Sequence, residues 1–392
     1  MVYTKKNIRI NILHIIGSLN IGGVQKLILQ LSQSQCLKKY THNVLCTILS
    51  VDNYRYAYEK YNITILSLPF KFAPISSIPF KLDKIIRYLF SKLYFFRLWY
   101  YLFISEFEVI HTHIHSQIIS QILASVLSGK RMIWTIHGEY SMGRFTLWII
   151  RILLSILPST KFQIIADSIS ALHSTLPFTG NNFKPDNIIP TGINLKPYLQ
   201  EYDQSLIREK YNIKDDTILI GSTGRIVWEK GYDQLLSLLE NYDFGEKIFH
   251  ILVAGDGSLR NKFIKRIGEN KLESHITFIG NIKNIPEFLS ALDIYIQPSV
   301  TEGFPLSVLE AMASRLPIIS SDAGGLKEMI IDGENGLTYE SGDISKLDKT
   351  IHKMLNLSIE DRKEFGSNAY NCIKINNSIE KVAEKYKAVY FQ

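Results

Sequence analysis

Apolar residues in this chain gather into short unbroken runs, each followed by a stretch with helical spacing. In the first half the runs are Ile8–Ile16, His42–Leu49, Ile63–Leu66, Glu108–Thr112, Met132–Ile136 and Phe162–Ala166. A second series comprises Ile218–Ser222, Ile248–Ala254, Ile276–Ile279, Ile294–Gln297 and Pro317–Ser320. Continuous apolar strands separated by helices predict α/β architecture, with parallel sheets covered on both faces. Between the two series lies Pro190-Thr191-Gly192-Ile193-Asn194, then Lys196 and Pro197. Proline and glycine there mark a hinge. The expected division is a first domain over 1–195, a second over 196–375, and a C-terminal helix over 376–392 returning to the first.

One segment departs from this rhythm. From Lys81 to Ile104, Leu82, Ile86, Leu89, Leu93, Phe96, Tyr100 and Phe103 recur at spacings of three and four, a helical stripe. Lys81, Lys84, Arg87 and Lys92 lie off it, while Tyr94, Phe95, Leu98, Trp99 and Leu102 make the second half apolar nearly all round. Basic and aromatic residues so interleaved suit an interfacial contact with an anionic membrane. They equally suit a helix buried against the sheet. Lys92 and Arg97 argue against a spanning helix. Arg144–Leu157 is also apolar, broken by Arg151, and reads as core.

A length of 392 residues accommodates two domains, and 46% hydrophobic with 21% charged residues describes an ordinary globular protein. The net charge of +7 suits an anionic ligand or membrane surface. No zinc spacing or nucleic-acid motif accompanies it, so no nucleic-acid partner is expected. Cys36, Cys46 and Cys372 are scattered and odd in number, which fits a reducing compartment. Lys5, Lys6 and Arg9 precede an apolar stretch that Asn11 and His14 interrupt, a first strand rather than a signal peptide. A cytoplasmic location is expected, with the inner face of the membrane as a further candidate.

Candidate chemistry concentrates after the strands. Pro298–Met312 places Glu302 and Glu310 eight positions apart, with Gly303, Phe304 and Pro305 leading from a strand into a helix. Proline fits the first helical turn, where its missing N–H costs nothing. Glu302 then lies at the carboxyl end of a parallel strand, where open α/β sheets bind ligands. Spacing alone equally allows one edge and one solvated glutamate. Gly17–Gly23 is a glycine-rich strand-to-helix loop, able to receive an anion or merely to connect. Arg225 and Lys230 sit in a strand-to-helix loop, as phosphate ligands or solvated charges. His111 and His113 alternate at a strand end with no carboxylate or cysteine at ligand spacing, so no metal is expected. His137 closes a strand just before Gly138.

Glu302-Gly-Phe-Pro-Leu-Ser-Val-Leu-Glu310 resembles the Glu-x7-Glu signature of retaining, nucleotide-sugar-dependent glycosyltransferases of the GT-B fold, group 1 type. Gly224-Arg-Ile-Val-Trp-Glu-Lys-Gly231 is similar to that family's G-R-L-x-x-x-K-G element, and Thr135-Ile-His137 to its T-x-H segment. Gly22-Gly23-Val24 resembles its N-terminal loop, with Gln25 where Glu is common. The resemblance implies two Rossmann-like domains facing across a cleft, the first for acceptor and the second for donor. It implies Glu310 on the ribose hydroxyls, and Glu302 with the Gly303–Leu306 turn (Gly303, Phe304, Pro305, Leu306) on the sugar. It places Arg225, Lys230 and the Gly22-Gly23 loop on the diphosphate, Gly280 by the base, and His137 at the sugar and reaction centre. Partners are then a UDP- or GDP-sugar and a glycan or lipid-linked acceptor, with no cofactor or metal. Retention without an obvious nucleophile suggests front-face attack, the departing phosphate helping to take the acceptor proton. The rival readings are a nucleotide-sugar 2-epimerase and a non-catalytic glycan- or membrane-binding relative.

Overall fold

The computed structural model describes residues 10–20, 22–47, 54–66, 93–138, 144–158, 160–179, 187–241 and 248–391. The chain forms two compact units, Met1–Pro190 with Ile379–Gln392, and Thr191–Ser378. Each holds a six-stranded, all-parallel sheet.

In the first unit the strands are β1 (Asn11–Ile16), β2 (Thr41–Cys46), β3 (Thr64–Leu66), β4 (Val109–Thr112), β5 (Arg131–Ile136) and β6 (Phe162–Ala166). Their order is β3-β2-β1-β4-β5-β6, so the connections run outward in opposite directions from β1 and β4. Ile, Val and Leu on both faces explain why these strands read as unbroken runs. One face packs Ile12, Val109, Ile133 and Ile165 against Leu27 and Leu31 of helix Gly23–Gln33 and against Val382 and Tyr386 of helix Ile379–Tyr390. The opposite face is covered by helices 93–104, Ile118–Leu127 and Arg144–Ile156.

These covering helices correct two expectations. Helix 93–104 meets the sheet through Tyr94, Leu98 and Leu102, while Leu93, Phe96, Tyr100 and Phe103 of the predicted stripe are exposed. With apolar residues nearly all round, periodicity could not say which line turns inward. Residues 81–92 of that stripe, with Lys81, Lys84, Arg87 and Lys92, lie outside the described residues, as do Lys5, Lys6 and Arg9. Helix Arg144–Ile156, read as core, buries Ile150 and Leu153 but exposes Phe145, Trp148, Ile152 and Ile156. No helix among the described residues is long and apolar enough to cross a membrane.

The second unit holds β7 (Ile218–Thr223), β8 (Phe249–Ala254), β9 (Ile276–Gly280), β10 (Ile294–Gln297), β11 (Ile318–Ser321) and β12 (Leu337–Tyr339), in the order β12-β11-β10-β7-β8-β9. The sequence reading missed β12. Three residues, Leu-Thr-Tyr, are too few to show a period. Side-chain caps start helices Ile344–Asn356 and Ile359–Asn376: Asp343 Oδ1 accepts from Lys346 N at 2.9 Å, and Ser358 Oγ from Asp361 N at 3.0 Å. Each cap satisfies an amide that has no partner within its own helix. Among the described residues Cys36, Cys46 and Cys372 are not joined in disulfides.

Candidate active site at the ends of β7 and β10

In the second sheet the strand order reverses between β7 and β10, which lie side by side. The loops leaving their carboxyl ends therefore diverge and open a crevice where open α/β sheets take ligands. One loop carries Arg225 and Lys230, the other Glu302.

Two glycines, one after β7 and one after β11, let their loops close on the loop that follows β10. Gly231 has φ +65°, and a Cβ there would lie 2.0 Å from the Pro298 carbonyl oxygen. Gly324 has φ +52°, and its Cβ would lie 2.0 Å from the Glu302 carbonyl oxygen. Only a residue without a side chain fits either position. Val300 N donates to the Glu229 carbonyl at 2.8 Å, and Gly325 N to the Glu302 carbonyl at 3.2 Å. The backbone is thus tied on both sides of Glu302.

The side chains follow from that closure. Lys230 Nζ donates to Glu302 Oε1, and the two side chains are 14% and 10% exposed. Ser299 Oγ donates to the same oxygen at 2.7 Å, and Gln297 Nε2 approaches it at 3.4 Å. Behind Gln297, its Oε1 accepts from Tyr295 OH at 3.0 Å and Ser307 Oγ at 3.3 Å, and Tyr295 OH meets Thr223 Oγ1 at 3.1 Å. Burial pushes the Tyr295 phenol up to about 12, with Glu310 also opposing its ionisation. Burial likewise raises the Tyr232 phenol, with Tyr295 and Glu302 adding to the shift. Beneath the crevice lies a neutral, hydrogen-bonded floor under one carboxylate and one ammonium. Tyr295, Gln297, Ser299 and Ser307 were missed by the sequence reading. The available signal was Gln297, a polar residue ending an apolar strand.

Helix Leu306–Ala313 begins at the end of that loop, with Pro305 as its N-cap rather than within its first turn. The amides of its first turn have no intrahelical partner. Glu310 sits inside this helix and is 6% exposed. Arg225, at the end of β7, is exposed, and no partner for it is found among the described residues. Gly280 ends β9 with φ +75°, and its carbonyl accepts from Gly255 N at 2.8 Å. The structure therefore joins Glu302 and Lys230 directly, places Glu310 in the helix that follows, and leaves Arg225 and Gly280 at the ends of β7 and β9, with β8 between them.

Gly22, Gly23 and His137 belong to the first unit. Gly22 is the N-cap of helix Gly23–Gln33, and Gln25 Nε2 donates to the Ser18 carbonyl at 2.7 Å. His137 follows β5, with Nε2 at 3.0 Å from His113 and Nδ1 at 3.2 Å from Asp167 Oδ2. Nitrogens of His14, His111 and His113 lie within 4.8 Å of one another. Those of His111 meet the Tyr390 and Thr135 hydroxyls at 2.8 and 2.7 Å. His14 and His42 were also missed, although a histidine inside each apolar run was a visible sign.

Residues 203–372, inside the second unit, match the family model of the glycosyl transferases group 1. The mannosyltransferase LpsB of lipopolysaccharide core biosynthesis in Rhizobium meliloti is 26% identical over 216 residues, 53% of this chain and 60% of that protein. The O-antigen biosynthesis glycosyltransferase WclY of Escherichia coli is 30% identical over 204 residues, 52% of this chain and 55% of its own length. The match thus spans little more than half of these curated relatives. Among solved structures, a glycosyltransferase from Rickettsia africae superposes with a TM-score of 0.77 at 20% identity, covering 98% of both chains. Anabaena HepE, solved with UDP and glucose, gives 0.75 at 17% identity over 97% of this chain and 98% of its own. The protein has the GT-B fold of two Rossmann-like units, and residues 203–372 of its second unit are similar to the glycosyl transferases group 1.

Proposed function

We propose that this protein transfers a sugar from a nucleotide-sugar donor to a hydroxyl acceptor with retention of anomeric configuration. The observation that carries this reading is the Lys230–Glu302 pair, seated at the topological switch point of the unit that matches the glycosyltransferase family. A carboxylate fixed by an ammonium and two neutral side chains is a directional acceptor for sugar hydroxyls. Helix Leu306–Ala313 turns its free amides toward the same loop, and Glu310 is the acceptor for the ribose hydroxyls. Arg225 and Lys230 neutralise the diphosphate as the glycosidic bond breaks, when charge on the leaving group grows. Gly280 borders the base. The chain's own cations supply the charge that a metal would otherwise bring.

Names of the relatives favour a surface polysaccharide, lipid-linked or growing, as acceptor. Such an acceptor sits at a membrane. The outward residues Phe96, Tyr100 and Phe103, with Trp148 and Ile152, support a peripheral contact there. Helices 93–104, Ile118–Leu127 and Arg144–Ile156 carry no acidic residue, which suits an anionic surface.

Nucleotide release from a panel of UDP- and GDP-sugars, with and without acceptor glycan, tests the reading. Acceptor-dependent release is expected for one donor, and a large loss in Glu302→Gln. An epimerase alters the sugar with no net release, and a binding protein does neither; either result ends the proposal.

A further inference from the structure

In the first unit, β2 and β1 bring His42 and His14 to the face covered by helix Ile379–Tyr390, and His113, His137 and Asp167 follow β4, β5 and β6 on that same face, beside His111 of β4. They form a continuous chain. His42 Nε2 meets the Leu37 carbonyl at 3.3 Å, and His42 Nδ1 meets His14 Nε2 at 3.1 Å. His14 Nδ1 meets His113 Nε2 at 3.2 Å, His113 Nδ1 meets His137 Nε2 at 3.0 Å, and His137 Nδ1 meets Asp167 Oδ2 at 3.2 Å.

Both ends of this chain, a carbonyl and a carboxylate, only accept. Five links need five protons. A neutral imidazole has one N–H, so four neutral rings fall one short. With all four neutral, one link would set two bare acceptors against each other, a costly arrangement in a buried site.

We propose that this chain holds one proton more than four neutral imidazoles supply, and that His14, His42 and His113 are positioning residues that keep His137 an imidazolium. By proton count alone any of the four rings could carry the extra proton; His137 is the ring in direct contact with a carboxylate, Nδ1 to Asp167 Oδ2 at 3.2 Å, and that contact places it there. His42, then neutral, donates through Nε2 to Leu37, its Nδ1 accepts from His14 Nε2–H, and the same sense passes through His113 to His137. His137 donates through Nε2 to His113 and through Nδ1 to Asp167, and is the ring that carries both protons. Burial agrees: it holds His14 and His113 well below the ordinary histidine range and takes His42 down to about 4. His137 is 13% exposed and beside a carboxylate, whose other oxygen accepts from Ser168 Oγ at 3.1 Å. His111 lies against His113, ring centroids 4.0 Å apart, but its nitrogens are taken by hydroxyls and it stays outside the chain. Tyr386 and Tyr390 close over it from the C-terminal helix, with phenols raised by burial.

At the end of β5 the protein thus presents a fixed positive charge. Its use toward an anionic donor sugar rests on the transfer reading; its protonation does not.

The test is a long-range proton–nitrogen correlation spectrum of the full chain labelled with 15N-histidine, recorded at neutral pH without donor. Expected are neutral Nε2–H rings for His14, His42 and His113, and both nitrogens protonated in His137. His14→Phe leaves two rings for two links, so His137 loses one proton and becomes a neutral Nδ1–H ring. His42→Leu, at the far end of the chain, has the same expected effect should the first variant fail to fold. A neutral His137 in the wild type overturns the proposal, as does a doubly protonated His137 that survives both substitutions. Because no donor is present, this outcome is separate from the fate of the transferase reading.

Discussion

Lys230 and Glu302 are 72 residues apart in sequence and form a direct, largely enclosed ion pair across the β7 and β10 loops. Sequence motifs give them different tasks, diphosphate and sugar. The structure makes each the other's partner in the absence of donor. In the proposed transfer, a donor entering between them would replace part of that pairing with its own phosphate and hydroxyl groups, leaving no uncompensated charge on either side.

Replacing Lys230 with Met removes one partner of this pair. Stability without donor is expected to fall toward the lower end of the ~3–5 kcal/mol typical of such a break. The rate of transfer should fall about a hundredfold or more. Arg225→Ala provides the contrast: its side chain is exposed, so stability should be unchanged within about 0.5 kcal/mol while the rate drops comparably. Urea unfolding alongside turnover separates the two effects. Equal stability losses, or undiminished rates in both variants, would remove these cations from the site. Chelator should leave activity intact.

Glu310→Ala should weaken donor binding by roughly 1.5–3 kcal/mol, the scale for hydrogen bonds to a charged acceptor. Calorimetric titration of the preferred donor checks this. A folded variant with wild-type affinity places the ribose elsewhere.

Acid should destabilise the first unit through its histidines. Burial lowers the His42 ring from 6.5 to about 4, and His14, His111 and His113 shift the same way. The unfolded chain then binds more protons than the folded one below pH 6.5. Stability is fully present above that pH and is lost as pH falls toward the folded value, at about 1.4 kcal/mol per unit for each such ring. Urea midpoints measured from neutral to acidic pH should fall steeply in the wild type and less in His42→Leu. Identical slopes in the two proteins contradict this assignment.

Binding to anionic vesicles should be present in the wild type, weakened by salt, and reduced when Phe96, Tyr100 and Trp148 become Ser. Changing Lys81, Lys84, Arg87 and Lys92 to Gln should reduce it further, at about 1 kcal/mol for each basic residue near the surface. Co-sedimentation that is absent, or indifferent to salt and to both sets of changes, leaves these helices without a membrane role.

The strands were legible because they are buried on both faces, which writes them as unbroken apolar runs such as Met132–Ile136 and Ile294–Gln297. That Glu302, Arg225 and Lys230 lie in loops after parallel strands, with Glu310 in the helix beyond, was legible from the order of apolar runs and helical spacing. The contact between Lys230 and Glu302 was not, since Gly231 and Gly324 reveal only in three dimensions what approaches them. The histidine chain was hidden for a related reason: His14, His42, His113 and His137 come from four segments that meet only when the strand order is known. The outward faces of helices 93–104 and Arg144–Ile156 were ambiguous because those helices are apolar nearly all round.

The central claim is that the Lys230–Glu302 crevice supports sugar transfer with retention. The most direct measurement is proton NMR of the reaction with an α-linked nucleotide sugar and its acceptor, following the anomeric signal and the free nucleotide together. The account predicts an α-linked product appearing in step with released nucleotide, and neither in Glu302→Gln. A β-linked product contradicts retention, and a sugar altered without nucleotide release contradicts transfer itself.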